Sequence, residues 1–204
     1  MSGDKFECEL MDWELFYRLS EKVARKIIES GYRPDFIVGL ARGGWVLSRM
    51  LCDFLGVKDL VSLKVEHWGV TATPDGKARL MYPFDIDLTG RRVLVVDDIT
   101  DTGESMRIAT EYVETKNPAE VRTAALRHIT SSGVVPDYSG DEITWRWVVF
   151  PWNYVEDMCN IVPKAAEGGA SLEEVKERLK RNHSLDVDTE EISRILDEVK
   201  RRST

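Results

Sequence analysis

The stretch that decides the reading is VLVVDDITDTGES, residues 93–105. Its first four residues are all apolar and β-favouring, a run suited to a strand buried on both faces. The run ends in two carboxylates, Asp97 and Asp98, and a loop holding Asp101, Thr102, Gly103 and Ser105 leads into a helix. Ligands of open α/β sheets bind outside the carboxyl ends of strands. A loop at a helix start presents backbone N–H groups and hydroxyls, which suit a phosphate. Gly103 lets the backbone come close and tolerates positive φ. Paired carboxylates would repel a phosphate set against them. As acceptor-only groups they suit the two hydroxyls of a neighbouring diol. A diol beside a phosphate is ribose 5-phosphate.

Two other kinds of acidic strand end fit less well. Phosphoacceptor receiver domains carry the acid pair near the domain start and follow it with a strand ending in the acceptor Asp. Here Asp137 and Asp141 are expected in a Pro/Gly-containing loop. Phosphatases of the haloacid-dehalogenase type need acids two apart, whereas Asp97, Asp98 and Asp101 are adjacent or three apart.

Outward from this stretch, helix and strand signals alternate. Trp13, Phe16, Val23 and Ile27 recur at helical spacing over 13–30, and Gly31 ends the run. DFIVGL (35–40) reads as a buried strand, ARGG opens a helix through Leu55, and Gly56 closes it. Residues 60–65 form a strand candidate, while 66–90 read as a functional flap or irregular hairpin. Helical spacing returns after Gly103 as far as Thr115, and 121–126 and 145–150 are two further strand candidates. This order predicts an α/β fold, doubly wound around a largely parallel sheet.

Composition shifts at AAEGGA (165–170), so the division expected is a domain over 1–164 and a C-terminal helical appendage over 165–204. Within 171–204, 17 of 34 residues are charged, and the 8 basic and 9 acidic ones nearly cancel, which argues against a DNA-reading module. Ser171 with Glu174, and Asp188 with Glu191, match capping boxes that start helices over about 171–182 and 189–202. A helical hairpin packed on the core or on another subunit is expected.

The 204 residues are 43% hydrophobic, enough for a sizeable core without disulfide or metal support. A formal charge of −8 disfavours general nucleic-acid or anionic-membrane binding. No apolar run reaches membrane-spanning length, and MSGDKFECEL lacks the basic and apolar regions of a signal peptide, so a cytoplasmic protein is expected. Cys8, Cys52 and Cys159 are far apart, and His67, His128 and His183 show no ligand spacing, so buried free thiols are expected.

VLVVDDITDTGES resembles the signature of the type I phosphoribosyltransferases that binds phosphoribosyl pyrophosphate (PRPP). The resemblance implies that Asp97 and Asp98 hold the ribose hydroxyls, while Asp101, Thr102, Gly103, Glu104 and Ser105 wrap the 5′-phosphate. It also implies Mg²⁺ between diphosphate and ribose, held by Asp97 and Asp98 directly or through water. LARGG (40–44) looks like the family's pyrophosphate loop, with Arg42, Gly43 and Gly44 receiving the diphosphate and a cis peptide at Ala41–Arg42. The order VPDY…WVVFPW (135–152) resembles the base-binding end of xanthine-guanine and archaeal purine members, with Trp147 stacking on the base and the Val148 backbone reading its edge.

Two departures are visible. No Lys precedes the VPDY segment, where His128 is one substitute, and Asn153 stands where an acid is usual after PW. Residues 66–84 would be a flexible hood, with Lys77, Arg79 and Tyr82 within reach of the diphosphate. The implied reaction is transfer of the phosphoribosyl group to a 6-oxopurine (guanine, xanthine or hypoxanthine), with Asp101 the catalytic group facing the base. Alternatives are a non-purine base such as orotate or uracil, or a regulatory protein sensing PRPP or a base. A homodimer or tetramer is expected by resemblance.

Overall fold

The computed structural model describes residues 5–70 and 73–203, and the side chains of these except 67–70 and 73–78. The described residues form two compact units, one of 14–69 and 74–145, the other of 5–13, 70, 73 and 146–203.

The larger unit carries a six-stranded sheet in the order β4-β3-β2-β5-β6-β7. Its strands are β2 (Phe36–Ala41), β3 (Leu60–Val70), β4 (Thr73–Tyr82), β5 (Arg92–Thr100), β6 (Glu120–Ile129) and β7 (Tyr138–Ile143). The ladders β2–β3, β2–β5, β5–β6 and β6–β7 are parallel. Its helices are α1 (Trp13–Glu29), α2 (Gly44–Leu55) and α3 (Glu104–Glu114). One face of the sheet packs Phe36, Val38, Leu40, Val93 and Val95 against Met106, Ala109 and Val113 of α3. On the other face Gly39 lies against Ser48 of α2, and Gly140 against Leu19 of α1. The alternate residues Ile37, Leu94 and Val96 are fully buried there. Helices thus cover both faces, as the continuous apolar runs of β2 and β5 require. This is the doubly wound α/β arrangement.

Several elements differ from the sequence expectation. Residues 138–143 are an edge strand, not loop, so Asp141 stands on β7 directly opposite Arg127 and pairs with it at 3.0 Å. Only 130–137 form the connection, which returns from the end of β6 to the start of β7. Asp137 anchors that return, accepting from both the N–H and the hydroxyl of Thr123. In the region 66–90, expected as a functional flap or irregular hairpin, the consecutive strands β3 and β4 are neighbours in the sheet, and β4 ends at Tyr82. The chain beyond is tied down by the Tyr112 hydroxyl, which donates to the Phe84 carbonyl, and by fully buried Leu88.

The smaller unit holds a two-stranded parallel sheet of β1 (Cys8–Leu10) and β8 (Trp147–Val149), with α4 (Tyr154–Ala165), α5 (Leu172–His183) and α6 (Thr189–Arg202). The strand expected over 145–150 is therefore shorter and lies outside the main sheet. The three helices pack on one another around Met158, Ile161, Val162, Val175, Leu179, Ile192 and Ile195. The composition shift at 165–170 falls inside this unit, between α4 and α5. The Ser171 capping box forms in both directions. At α6 only half forms: Asp188 accepts from the Glu191 N–H, while the Glu191 carboxylate turns to Arg194. Among the described residues no helix is long and apolar enough to cross a membrane.

Candidate active site

Strand order reverses between β2 and β5, whose following helices α2 and α3 lie on opposite faces. That crevice is where an open α/β sheet binds ligands, and both motifs singled out in the sequence end there.

At the end of β5, Asp97 and Asp98 are half-buried. The Asp98 N–H donates to Asp97 Oδ1 at 2.9 Å, and the Ile99 N–H to Asp98 Oδ1 at 3.0 Å. Burial, and after it the negative charge of Asp98, holds the Asp97 carboxyl well above the usual carboxylate range. Two carboxylates crowded together at a strand end favour hydroxyl donors or a hard cation between them.

The ARGG loop leaves β2 through a cis peptide at Ala41–Arg42. Gly43 and Gly44 then press on the acids. A Cβ on Gly44 would lie 2.6 Å from the Val96 carbonyl oxygen and 2.7 Å from Asp97 Cα, and one on Gly43 would overlap the Asp98 carboxylate. The loop backbone therefore borders the acid pair with no room for side chains, leaving its amides and the exposed Arg42 as the groups offered to a ligand.

On the other side of the acids, residues 101–103 lead into α3. Gly103, the residue before the helix, has φ 85° and no side chain of its own to cap it, while the Thr102 hydroxyl accepts from the Glu104 N–H at 3.3 Å. The positive end of the helix favours an anion there. Thr102 and Ser105 add hydroxyls, and Asp101 stands half-buried at the loop entrance. The Glu104 carboxylate pairs with Arg107 on the helix surface. Sequence reasoning missed the brace of this loop. The Gly133 N–H donates to the Thr102 carbonyl at 3.2 Å, and a Cβ on Gly103 would meet Val134 Cβ at 2.6 Å.

A family model described as the phosphoribosyl transferase domain matches residues 8–157. The chain belongs to this family. The hypoxanthine-guanine phosphoribosyltransferase of Aquifex aeolicus is 30% identical over 128 residues, spanning 59% of this chain and 69% of that one. The human protein of the same name is 31% identical over 136 residues, but the match spans only 58% of its length. A crystal structure of the purine phosphoribosyltransferase from Pyrococcus horikoshii superposes with a TM-score of 0.63 at 31% identity, covering 72% of this chain and 94% of that one.

The remaining expected site residues of this phosphoribosyltransferase domain fall as follows. In the larger unit, His128 is buried against Thr100 rather than open to a ligand. Arg79 and Tyr82 are exposed on β4, and the side chain of Lys77 lies outside the described residues. Within the smaller unit, Trp147 is half-buried and packs on that unit's core, and Val148 is buried. The Trp147 N–H donates to the Glu7 carbonyl, and the Val149 carbonyl accepts from Met11. Strand alternation then turns the peptide groups of Val148 to the edge away from β1. Trp13, which opens α1, is 57% exposed and has its ring 6.0 Å from Trp152, which itself stacks on Phe150 at 4.8 Å.

Proposed function

We propose that the protein transfers the 5-phosphoribosyl group of PRPP to a nucleobase, a 6-oxopurine, and releases diphosphate, a purine-salvage reaction. The observation that carries this reading is the close approach of the side-chain-free Gly43–Gly44 backbone to the acid pair, next to the start of α3 and its Gly103. Together they offer separate places for a diphosphate, a diol and a phosphate. The names of the Aquifex and Pyrococcus relatives support a purine as acceptor.

In this reading Asp101, Thr102, Gly103, Glu104 and Ser105 hold the 5′-phosphate at the start of α3. Asp97 and Asp98 accept the ribose hydroxyl protons. Arg42 and the amides of Gly43 and Gly44 receive the leaving diphosphate. Trp147 stacks on the base, and the outward peptide groups of Val148 read its edge. The nitrogen of the base attacks C1 as the diphosphate departs, through a transition state of oxocarbenium character. Asp101 takes up the proton that the base loses. Holding the reactants in line supplies most of the acceleration.

The two acids suit Mg²⁺, which prefers oxygen ligands and keeps several waters. Among the described residues no cluster of three or more His, Cys, Asp or Glu competes for a metal. Bound Mg²⁺ would neutralise the diphosphate as it leaves. The family match ends at residue 157, and we take 1–164 as the transferase domain and 165–204 as a helical appendage. A homodimer or tetramer is our expectation for the assembly.

The test is diphosphate release from PRPP and Mg²⁺ with guanine, xanthine, hypoxanthine, adenine, orotate and uracil offered separately. Release with a 6-oxopurine supports the reading. Release with orotate or uracil alone replaces the acceptor. PRPP binding without release from any base replaces the enzyme with a sensor.

A further inference from the structure

Thr100 ends β5, and His128 stands opposite it in the parallel ladder, one residue before β6 ends. Both side chains are buried, with 2% and 4% of their surface exposed, and Thr100 Oγ1 lies 2.8 Å from His128 Nδ1. On the same sheet face Val96, Ala124 and Leu126 are fully buried and apolar, and half-buried Asp98 stands between Val96 and Thr100 on β5. A buried hydroxyl and imidazole are costly unless they bond each other, and an apolar pair of similar shape would carry no such requirement. What the polar pair adds is direction. Whichever ring tautomer is present, the bond holds the β-branched Thr100 side chain in one rotamer, and with it the last residue before Asp101.

The far end of the same loop is braced from the same strand's continuation. Gly133 donates to the Thr102 carbonyl, and Val134 fills the space beside Gly103. The loop over 101–103 is thus held at its entrance by His128 and at its exit by the segment that follows β6.

The geometry points to His128 as a positioning residue that acts through Thr100 to fix where Asp101 and the phosphate loop stand. This inference rests on the proposed transferase activity only for its turnover readout. His128→Leu and Thr100→Val remove the bond and keep the bulk, whereas His128→Asn keeps a hydrogen-bonding atom near the place of Nδ1. Each of the first two is expected to lower kcat by ~10-fold, short of the ~100-fold that a 1 Å displacement of a reacting group brings. KM for PRPP should stay within about 3-fold, because the phosphate ligands remain. The double variant should be no slower than the slower single one, and His128→Asn should recover most of the loss. Thermal unfolding midpoints of all four variants check that they fold.

A second readout needs no turnover. Thr100→Val should move the ring nitrogen signals of His128 in ¹⁵N spectra, and His128→Leu should move the backbone amide signals of residues 101–103. A wild type that releases no diphosphate from any base would sink the transferase reading but leave this readout to decide the inference. Effects that multiply in the double variant would overturn it. So would equal losses in the Leu and Asn variants, or spectra that stay unmoved.

Discussion

Replacing Gly43 with Ala isolates the close approach between the ARGG loop and the acid pair. Gly43 has φ −68° and ψ −43°, an ordinary right-handed conformation that Ala adopts without strain. On backbone grounds alone the change should stabilise the fold by ~0.4–1 kcal/mol, because Ala leaves the unfolded chain fewer conformations to lose. The space tells the opposite story, since the new methyl would overlap the Asp98 carboxylate. Asp98 would have to leave its rotamer, at ~0.5–1.5 kcal/mol. It would also give up its bond to the Ile99 N–H, worth ~1 kcal/mol. The net expectation is a loss of roughly 0.5–2 kcal/mol.

Truncating Asp98 to Ala removes the obstacle, so Gly43→Ala made on Asp98→Ala should stabilise by the backbone term alone. Urea unfolding of the four proteins of this cycle, at one pH and with a common m-value, reads both numbers. The argument depends on the change of sign. If Gly43→Ala stabilises the wild type, or shifts both backgrounds equally, the two loops do not meet as described.

Three other outcomes follow from the geometry. Asp101→Asn should reduce kcat by ~10²-fold in the diphosphate-release assay, the scale of general-base catalysis, and unchanged turnover would remove Asp101 from that role. His183 is buried against the Phe6 carbonyl, and burial holds its imidazole below the usual value. An unfolded histidine takes up its proton near pH ~6.5, whereas the folded one does so only at lower pH. Its contribution is fully present above that value and is lost as the pH falls below it. Urea midpoints at pH 7.5 and 5.5 should therefore drop more for the wild type than for His183→Asn. Ser171→Ala removes the hydroxyl that accepts from the Glu174 N–H, keeps the backbone N–H that donates to the Glu174 carboxylate, and should lower stability by ~1 kcal/mol, measured by urea unfolding.

Much of the fold could be read because its signals are local. The apolar run before Asp97, the glycines after Ala41 and the capping residues Ser171 and Asp188 each act within a few residues of themselves. What escaped reading depends on distant partners. Tyr138–Ile143 lacks apolar alternation, and its place in the sheet rests on the Arg127–Asp141 pair and on Gly140, where a Cβ would press on the Leu126 carbonyl oxygen. β1 is three residues long and has no pattern of its own; only β8 makes it a strand. Pro163 in the last turn of α4 argues against a helix, although Met158, Ile161, Val162 and Ala165 keep helical spacing and are buried.

The site divides in the same way. Acids, glycines and hydroxyls announce the ribose phosphate loop by residue type. The base edge is assigned to peptide groups at Val148, which every residue carries, so nothing in its side chain marks the position.

The pairing of β1 with β8 makes the length of the N-terminal segment matter more than its composition. Cys8, Glu9 and Leu10 face Trp147, Val148 and Val149 in register, and the period of a strand is two residues. Exchanging one of those side chains for another of similar size leaves the pairing in phase. Inserting or deleting a single residue there reverses the phase of β1 itself, turning the buried Cys8 side chain out of its place and putting a neighbour in its stead. In this family member, substitutions of similar size within 8–10 should then be tolerated better than insertions or deletions, which change how three residues meet a strand more than a hundred positions away.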